Sequence, residues 1–355
     1  MKFKTITSVA LAASISMSFA CSKMTNNFGD NGVYTARTTD LCIDLPYDIA
    51  IFPRGMLDDG KVTKGQNAKW TSKYASIMVR ENAPPLLANI EGINEKGLAV
   101  NLLYLGGTKY EPRDLNKPGI SMYAWAKYVM DNYSTVNEVI AGLNKYQLVI
   151  EPVKLAGNDL ILPMHFSIED TSGDNAVIEF LNGKMHVYHN KNYGVMTNEP
   201  EYDKQLANLA QVQKSKHYSK DYLPGGANSV NRFVRAYFYS NNLPTTVNSN
   251  VDAVENMFSA ISGVFVPYYA NYEKSCGLIS GDPSAGDTWP TQWATITDQK
   301  NHILYLIDGK SGNQVSVNLN KFDVTPGNPV RAVNPTQLKL SNDISDKFQI
   351  EKPQQ

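Results

Sequence analysis

One cysteine in the sequence, Cys21, stands where it could begin a processed chain. The residues before it predict a secretory signal peptide, because lysines precede an uncharged stretch from Val9 to Ala20 that ends in small residues. Ser18 and Ala20 suit signal peptidase, so we expect residues 1–20 to be removed by a cut between Ala20 and Cys21. An N-terminal cysteine can act as a nucleophile while its own α-amine, with an ordinary pKa of about 7.7 to 8.0, accepts the thiol proton.

A nucleophilic thiol also needs a nearby cation or donor, because a free cysteine with a pKa of about 8.5 is mostly protonated at neutral pH. The segment from Gly32 to Thr38 predicts a β-strand that carries Arg37 and leads to Asp40. Arg37 could hold the thiolate or a substrate oxygen, and Asp40 could orient the terminal ammonium. Residues three apart on a regular strand face opposite sides, so both reach one site only at a bend or at the strand's end. A surface ion pair beside a turn is the alternative.

Cys21 has a second interpretation, as the lipidated cysteine of a periplasmic lipoprotein that binds a ligand without catalysis. Lipidation would add a diacylglyceryl group to the thiol and acylate the amine, which would remove both the nucleophile and its base. Ser18 stands where a lipoprotein signal usually has leucine, and Phe19 is bulky, so the segment suits ordinary signal peptidase better. The mass of the exported protein separates the two interpretations.

The composition narrows the class of protein. The 355 residues contain 33 Lys and Arg against 34 Asp and Glu, a net charge of -1, which leaves no broad basic surface for nucleic acid or anionic lipid. With 42% hydrophobic and 19% charged residues, the chain is expected to be globular. No later uncharged run matches the stretch before Cys21, so we expect no membrane insertion of the mature chain.

The sequence also lacks the motifs of metal and nucleotide sites. No CxxC pair, nucleotide-binding glycine motif or GxSxG motif occurs, so we expect no cofactor and no serine nucleophile. We expect no metal site at the five histidines; His186 and His189, for example, lie in a strand-like run whose alternation separates their rings. Cys42 and Cys276 are interpreted as a buried small side chain and a loop thiol, with a disulfide between them as the alternative.

Several motifs, taken in order, resemble the choloylglycine hydrolase family, which includes bile-salt hydrolases and penicillin V acylases. The resemblance rests on Cys21 at the processed terminus and on Ala36-Arg37-Thr38-Thr39-Asp40, Ile51-Phe52-Pro53-Arg54-Gly55-Met56, Gly92-Ile93-Asn94-Glu95-Lys96-Gly97-Leu98, His165-Phe166-Ser167-Ile168-Glu169-Asp170, Val195-Met196-Thr197-Asn198-Glu199-Pro200 and Asn231-Arg232-Phe233-Val234-Arg235. A later block, Thr291-Gln292-Trp293-Ala294-Thr295-Ile296-Thr297-Asp298, is similar to the Gram-negative secreted branch. Each motif is weak alone, and their order and spacing carry the resemblance.

The resemblance implies a role for each residue around the nucleophile. Cys21 would be the nucleophile and its α-amine the proton acceptor, while Arg37 and Asp40 would polarise and position it. Arg232 would complete the network, and Arg235, three residues later, is expected to be an ordinary exposed helix residue.

The resemblance also implies how the oxyanion and the acyl group are bound. Asn198 would donate its side-chain amide to the oxyanion, with a backbone N–H near Tyr104 as the second donor; such donors each supply about 3 to 4 kcal/mol. The chain departs from the family pattern at Leu41, where an aromatic residue is expected, and in the run Ser22-Lys23-Met24, positions that we expect to border the acyl pocket. Tyr104 lies near a position where tyrosine accompanies penicillin V activity and asparagine accompanies bile-salt activity.

The element pattern agrees with these implications. Strands are predicted at Val33–Thr38, Ile49–Phe52, Ala75–Val79, Gly97–Leu105, Met164–Glu169, Ala176–Leu181, Lys184–His189, Trp293–Thr297 and Ile303–Ile307, and helices at Ile120–Asn132, Val136–Lys145, Tyr202–Gln213, Ser229–Tyr239 and Val251–Ile261. Leu223–Asn228 and Val324–Asn334 are predicted as loops. Hairpin strands with helices grouped between them indicate an α+β protein of packed antiparallel sheets, and the resemblance implies the αββα four-layer sandwich of N-terminal-nucleophile hydrolases, with residues 21–355 as one domain.

The sequence therefore predicts a periplasmic or secreted cysteine hydrolase that cleaves linear amide C–N bonds. Three substrate classes follow from the resemblance: penicillin V, conjugated bile acids and, as an alternative, N-acyl homoserine lactones. Each joins an apolar acyl group to a polar amine, so the partner is a small-molecule N-acyl amide. The family also implies a homotetramer.

Overall fold

The computed structural model describes residues 21–83, 86–155, 158–215, 218–269, 289–338 and 343–351. The predicted signal peptide lies outside these residues. In chain order the strands are β1 Ser22–Asn27, β2 Val33–Asp40, β3 Tyr47–Phe52, β4 Leu57–Asp59, β5 Lys69–Thr71, β6 Ser76–Ala83, β7 Leu86–Asn94, β8 Ala99–Tyr104, β9 Gly119–Ser121, β10 Gln147–Val149, β11 Val153–Leu155, β12 Asn158–Leu160, β13 Met164–Glu169, β14 Asn175–Leu181, β15 Lys184–His189, β16 Val195–Met196, β17 Thr291–Asp298, β18 Ile303–Asp308, β19 Gln314–Asn318, β20 Arg331–Val333 and β21 Gln349–Ile350. The helices are α1 Met122–Asn132, α2 Val136–Gly142, α3 Tyr202–Gln213, α4 Ser229–Asn241 and α5 Asn250–Ser262.

Two large antiparallel sheets form the centre of the molecule. One has six strands in the order β16-β1-β2-β17-β18-β19, and the other has nine in the order β15-β14-β13-β8-β7-β6-β3-β20-β21. Three two-stranded sheets, β9 with β10, β11 with β12 and β4 with β5, lie apart from them. The predicted class, α+β with two antiparallel sheets, is confirmed.

Three hydrophobic clusters separate four layers. Ile49 of β3 and Trp293 of β17 belong to a cluster between the two sheets, whereas Ala50, the next residue of β3, packs with α1 on the outer face of the nine-stranded sheet. The third cluster joins the six-stranded sheet to α4 and α5, through residues such as Phe233. Because side chains alternate along a strand, each central strand serves two clusters, which produces the expected αββα sandwich.

Most predicted elements agree with the structure. Tyr202–Gln213, Met164–Glu169 and Lys184–His189 match to the residue. Strands β1, β7, β19 and several short strands were not predicted, and one of the short strands, β20, lies within the predicted loop Val324–Asn334. Strand β1 is rich in Ser, Lys, Thr and Asn, a composition typical of loops, and it is held by β2 on one side and β16 on the other. Among the described residues, no helix is long and apolar enough to cross a membrane.

Candidate active site

Cys21 directly precedes strand β1, which lies inside the six-stranded sheet. The residue is 4% exposed and its thiol is free. Its backbone nitrogen donates a hydrogen bond of 2.7 Å to Oδ1 of Asn198. The next nitrogen, that of Ser22, donates to Oγ1 of Thr38 on β2 at 3.0 Å. Thr38 lies on β2 and Asn198 follows β16, so the segments on both sides of β1 hold the backbone around the thiol.

Asn198 follows strand β16, and its side-chain amide and its backbone N–H both form hydrogen bonds. Its Oδ1 accepts from Nη2 of Arg232 at 2.9 Å as well as from Cys21, and its Nδ2 donates to the carbonyl oxygen of Tyr104 at 2.8 Å. A guanidinium can only donate and a carbonyl can only accept, so these two partners fix which end of the amide is oxygen. The Asn198 backbone N–H donates to Oγ of Ser229 at 2.9 Å.

Arg232 reaches the same point from the first turn of α4. This helix starts at an Asn228 cap and packs against β1, which places the fully buried guanidinium at the end of that strand. Nη1 donates to the carbonyl oxygen of Cys21 and to Oγ of Ser22, both at 2.6 Å, and Nε donates to the carbonyl oxygen of Ala227 at 2.8 Å. Burial lowers the pKa of Arg232, and the nearby Asp40 opposes that shift.

Arg37 and Asp40 come together because Asp40 is the last residue of β2. Opposite it, the pairing of β2 with β17 shifts register between Thr291 and Trp293. This bulge at a strand end supplies the irregularity that the sequence argument required. Arg37 donates to Oε1 of Glu91 and to the carbonyl oxygen of Leu102, both at 2.8 Å.

The Asp40 carboxylate is bound by hydroxyl groups. It accepts from Oγ1 of Thr291 at 2.7 Å and from Oγ1 of Thr38 at 3.2 Å. The backbone nitrogen of Cys21 donates to Asn198, and the role of Asp40 in orienting a terminal ammonium, which would have further N–H donors, stays a prediction. The negative charge of Asp40 raises the pKa of the Cys21 thiol, whereas a backbone hydrogen bond from Asp40 lowers it.

Burial dominates the electrostatics of the site. It raises the pKa of the Cys21 thiol to about 11, against the opposing charges of Arg37 and Arg232. It also raises the pKa of Asp40 to about 7, opposed by Arg232 and by the bonds from Thr291 and Thr38. A thiol with this pKa is mostly protonated at neutral pH, so a nucleophilic role for Cys21 would require a base that takes its proton as the new bond forms.

A small cavity of about 30 Å³ opens beside the thiol. Its wall is mainly apolar with a few polar residues: Cys21, Arg37, Thr39, Leu41, Ile43, Leu45, Glu81, Ile90, Leu102, Tyr104, Leu162 and Met164. Leu41 and Tyr104 border it, and their roles in binding the acyl group stay predictions. The run Ser22-Lys23-Met24 does not, since Ser22 binds Arg232, Lys23 forms a buried ion pair of 2.9 Å with Glu169, and Met24 packs in the helix-facing cluster.

Several other residues differ from the sequence interpretation or lie outside the site. Arg235, expected to be exposed, is buried and donates to the carbonyl oxygens of Gly263, Pro224 and Gly226, so it fastens the loop before α4.

Within the described part of the chain, no group of three or more His, Cys, Asp or Glu side chains could hold a metal ion. Cys42 is fully buried, whereas Cys276 and His217 lie outside the described residues, and the pairing of Cys42 with Cys276 stays a prediction.

Four hydroxyl groups that support the site have no role assigned from the sequence. Ser229 donates to Thr197 at 2.9 Å and accepts from the Asn198 backbone, and Thr291 and Thr38 hold Asp40. A signal for Ser229 was present, because it follows the Asn228 cap of a helix whose first turn carries Arg232. Thr291 is the first residue of the block Thr291-Gln292-Trp293-Ala294-Thr295-Ile296-Thr297-Asp298, and nothing in that motif indicates its contact with Asp40.

Comparison with known proteins agrees with this geometry. The four layers define the N-terminal-nucleophile hydrolase fold, which this chain shares with solved acylase and hydrolase structures. The family model described as linear amide C–N hydrolases, choloylglycine hydrolase family, matches residues 21–329. The chain belongs to this family and is an amide hydrolase.

Individual relatives sharpen the comparison. Penicillin V acylase of Pectobacterium atrosepticum is 31% identical over 336 residues, which cover 90% of this chain and 86% of that protein. The structure of penicillin V acylase from Agrobacterium tumefaciens superimposes with a TM-score of 0.79 at 31% identity, covering 94% of this chain and 98% of that one. A mutant of conjugated bile acid hydrolase from Clostridium perfringens has a TM-score of 0.74 at 20% identity, covering 94% and 100%, and shares the fold.

Proposed function

We propose that Cys21 becomes the N-terminal residue when the signal peptide is removed and that it is the nucleophile of the amide hydrolase. The observation that carries the proposal is the convergence of Asn198 and Arg232 on the backbone of a buried cysteine that borders an apolar cavity. The family match begins at residue 21, which supports the same boundary.

In the proposed reaction the α-amine of Cys21 takes the thiol proton while the sulfur attacks the amide carbonyl carbon. The tetrahedral intermediate carries its negative charge on oxygen, where Asn198 and a backbone N–H near Tyr104 stabilise it. An amide nitrogen has two hydrogens, and Nδ2 of Asn198 uses one for the Tyr104 carbonyl, which leaves the second for the oxyanion. The C–N bond then breaks, and the ammonium gives its proton to the departing amine.

The second half of the reaction uses the same base. The α-amine takes a proton from water, and the hydroxide oxygen attacks the thioester carbon. The C–S bond breaks, the carboxylic acid leaves, and the ammonium returns its proton to the sulfur. The positive charges of Arg37 and Arg232 stabilise the negative charge on sulfur. The backbone hydrogen bond from Asp40 also stabilises it.

The lipid-anchor interpretation of Cys21 fits this environment poorly. The residue is 4% exposed, and its backbone is bound by Asn198 and Arg232 inside the fold. A diacylglyceryl chain on this thiol would have to leave a closed site. The intact mass of the exported protein tests the point: a chain that starts with unmodified Cys21 is expected, and a lipid adduct would contradict the proposal.

We propose a compact acyl group, such as the phenoxyacetyl group of penicillin V, as the substrate's apolar half. Two relatives that are 31% identical carry the name penicillin V acylase. The cavity of about 30 Å³ is far smaller than a sterol, so a bile-acid acyl group would require a larger rearrangement of the wall than a phenoxyacetyl group. Conjugated bile acids and acyl homoserine lactones remain the alternatives in a substrate panel.

The deciding experiment compares exported wild type with Cys21→Ala on penicillin V, glycocholate, taurocholate and an acyl homoserine lactone. We expect amine release from penicillin V to fall at least ~10³-fold in the variant, because the covalent route is lost. Circular dichroism and the melting temperature check that the variant is folded. A folded Ala variant with near wild-type activity would overturn the proposed nucleophile.

Two further parts of the proposal concern the protein's location and assembly. Export to the periplasm or medium requires the predicted cut before Cys21, which N-terminal sequencing of the exported chain tests. A homotetramer, implied by the family, predicts a mass about four times that of the processed chain in light scattering after size-exclusion chromatography.

A further inference from the structure

Glu81 lies in the wall of the same small cavity as Cys21. It is carried by β6, where Ile77 and Val79 point into the space between the sheets, and strand alternation sends Glu81 to that side as well. The side chain is 6% exposed. No step of the proposed reaction uses this buried carboxyl group.

The cavity wall holds polar atoms that have no partner. Nε of Arg37 and Oγ1 of Thr39, both buried, lack a partner among the described residues. Glu81 lines the same wall, and the charge of Arg37 acts on its carboxyl group. Buried polar groups in native proteins are paired in about nine cases of ten, so two unpaired donors beside one cavity indicate a ligand that pairs with them.

The ligand that fits this wall is apolar with a single oxygen. Leucine and isoleucine side chains, such as Leu41 and Ile90, make up most of the surface. The Arg37 nitrogen and the Thr39 hydroxyl can both donate, and so can Glu81 when it is protonated. Arg37, Thr39 and Glu81 line the cavity together with Cys21, so the donors lie near the reacting end of the acyl group.

We propose that Glu81 is a specificity-determining residue that donates a hydrogen bond to an acceptor oxygen close to the scissile carbonyl of the acyl group, as in an aryloxyacetyl amide. This inference rests on the proposed function of Cys21 and adds a determinant of acyl choice. An acyl group with a methylene in place of that oxygen leaves the donors unpaired and reacts more slowly.

The protonation of Glu81 gives the proposal a pH signature. Burial and the charge of Glu91 raise its pKa to about 7, and Arg37 opposes the shift; the phenol of Tyr123 on α1 also interacts with it. Below pH 7 the neutral acid donates to an ether oxygen, whereas above it the carboxylate repels that oxygen. The preference for the ether substrate should therefore decrease as pH rises.

The test uses two amides of one amine, with phenoxyacetyl and 3-phenylpropanoyl groups that differ only by an oxygen replaced with a methylene. For each enzyme, kcat/KM for the ether is divided by kcat/KM for the methylene compound, which cancels the titration of Cys21 and its amine. In wild type we expect this ratio to be about 10 at pH 6 and to fall several-fold by pH 8.

Two variants separate recognition from structure. Glu81→Leu should reduce the ratio about 10-fold at pH 6, whereas Glu81→Gln, which keeps an N–H donor of similar shape, should retain most of it and lose its dependence on pH. A purely structural role would change both substrates alike and leave the ratio constant. An unchanged ratio in folded Glu81→Leu, or an unchanged pH dependence of the ratio in folded Glu81→Gln, overturns the proposal.

The two proposals fail in different ways. If neither amide is hydrolysed, or if Cys21→Ala retains activity, the proposed function is wrong. If both amides are hydrolysed through Cys21 and the ratio is unaffected by Glu81→Leu, the amidase stands and the role of Glu81 is wrong.

Discussion

Two cavities of this protein differ in size and in chemistry. The larger, about 430 Å³, lies between the α1–α2 helices and the nine-stranded sheet, and its lining includes Trp125, Tyr128, Val129, Tyr146 and Phe180. The smaller, about 30 Å³, contains the cysteine, a guanidinium and a buried carboxyl group. Volume alone would select the first as the site. The comparison teaches that a site of this kind depends on tight burial, because fixed donors and charges act most strongly where water is excluded.

After Cys21 itself, the largest effect is expected at Asn198, which binds the backbone nitrogen of Cys21 beside the smaller cavity. Replacement by alanine removes the proposed oxyanion donor and leaves the Cys21 nitrogen and Nη2 of Arg232 without their acceptor. We expect kcat to fall about 10²- to 10³-fold. The measurement is the steady-state rate on penicillin V or on the best substrate of the panel.

The matched control is Asn144→Ala, the same substitution in the lining of the larger cavity. Its kcat should stay within about twofold of wild type, since it is remote from the donors of the smaller cavity. Equal losses in the two variants would show that the contrast between the cavities is false.

The second prediction concerns pH and is next in size. Burial raises the pKa of Asp40 and of Glu81 to about 7, above their ordinary values, so the folded state holds these protons more tightly than the unfolded state. Their contribution to stability is complete below about pH 4 and is lost as pH rises through about 7. Each group is worth on the order of 3 kcal/mol across that window.

Denaturant unfolding at several pH values between 5 and 8 measures this effect. We expect the free energy of unfolding to decrease with pH in wild type and to decrease less in Glu81→Gln, which keeps only the Asp40 contribution. A variant curve parallel to that of wild type would mean that Glu81 does not titrate in this range and that the smaller cavity is wetter than its burial indicates.

Local sequence patterns predicted antiparallel sheets covered by helices, whereas the four-layer order and the candidate site residues came from the family resemblance. Strands such as Met164–Glu169 and helices such as Tyr202–Gln213 have strong apolar periodicity and clear ends. The site residues Cys21, Arg37 and Asn198 were found from motifs, which record chemistry directly. The structure brings them close together, with Asn198 bound to the Cys21 nitrogen and Arg37 in the wall of the same cavity as Cys21. That they form one catalytic site stays a prediction.

What the sequence did not predict depends on contacts between distant residues. Strand β1 has a polar sequence and exists because β2 and β16 pair with it. The burial of Arg235 follows from backbone carbonyls of Gly263, Pro224 and Gly226 that converge on it, which no local pattern records. The orientation of Asn198 is likewise set by Arg232, 34 residues away along the chain.

The smallest predicted effect tests whether the larger cavity influences the smaller one at all. Val129 is fully buried on α1 and lines the larger cavity, so Val129→Ala should lower the free energy of unfolding by about 2 kcal/mol. Helix α1 packs against β8, the strand that ends at Tyr104, which gives the two regions a physical connection. Because native packing is rigid, we expect Tyr104 to keep its position in Val129→Ala and kcat to stay within about twofold of wild type. Steady-state kinetics measure kcat, and chemical denaturation measures the loss of stability. A variant that keeps its fold but loses kcat would show that the packing under α1 positions Tyr104, and the two cavities would then have to be treated as one mechanical unit.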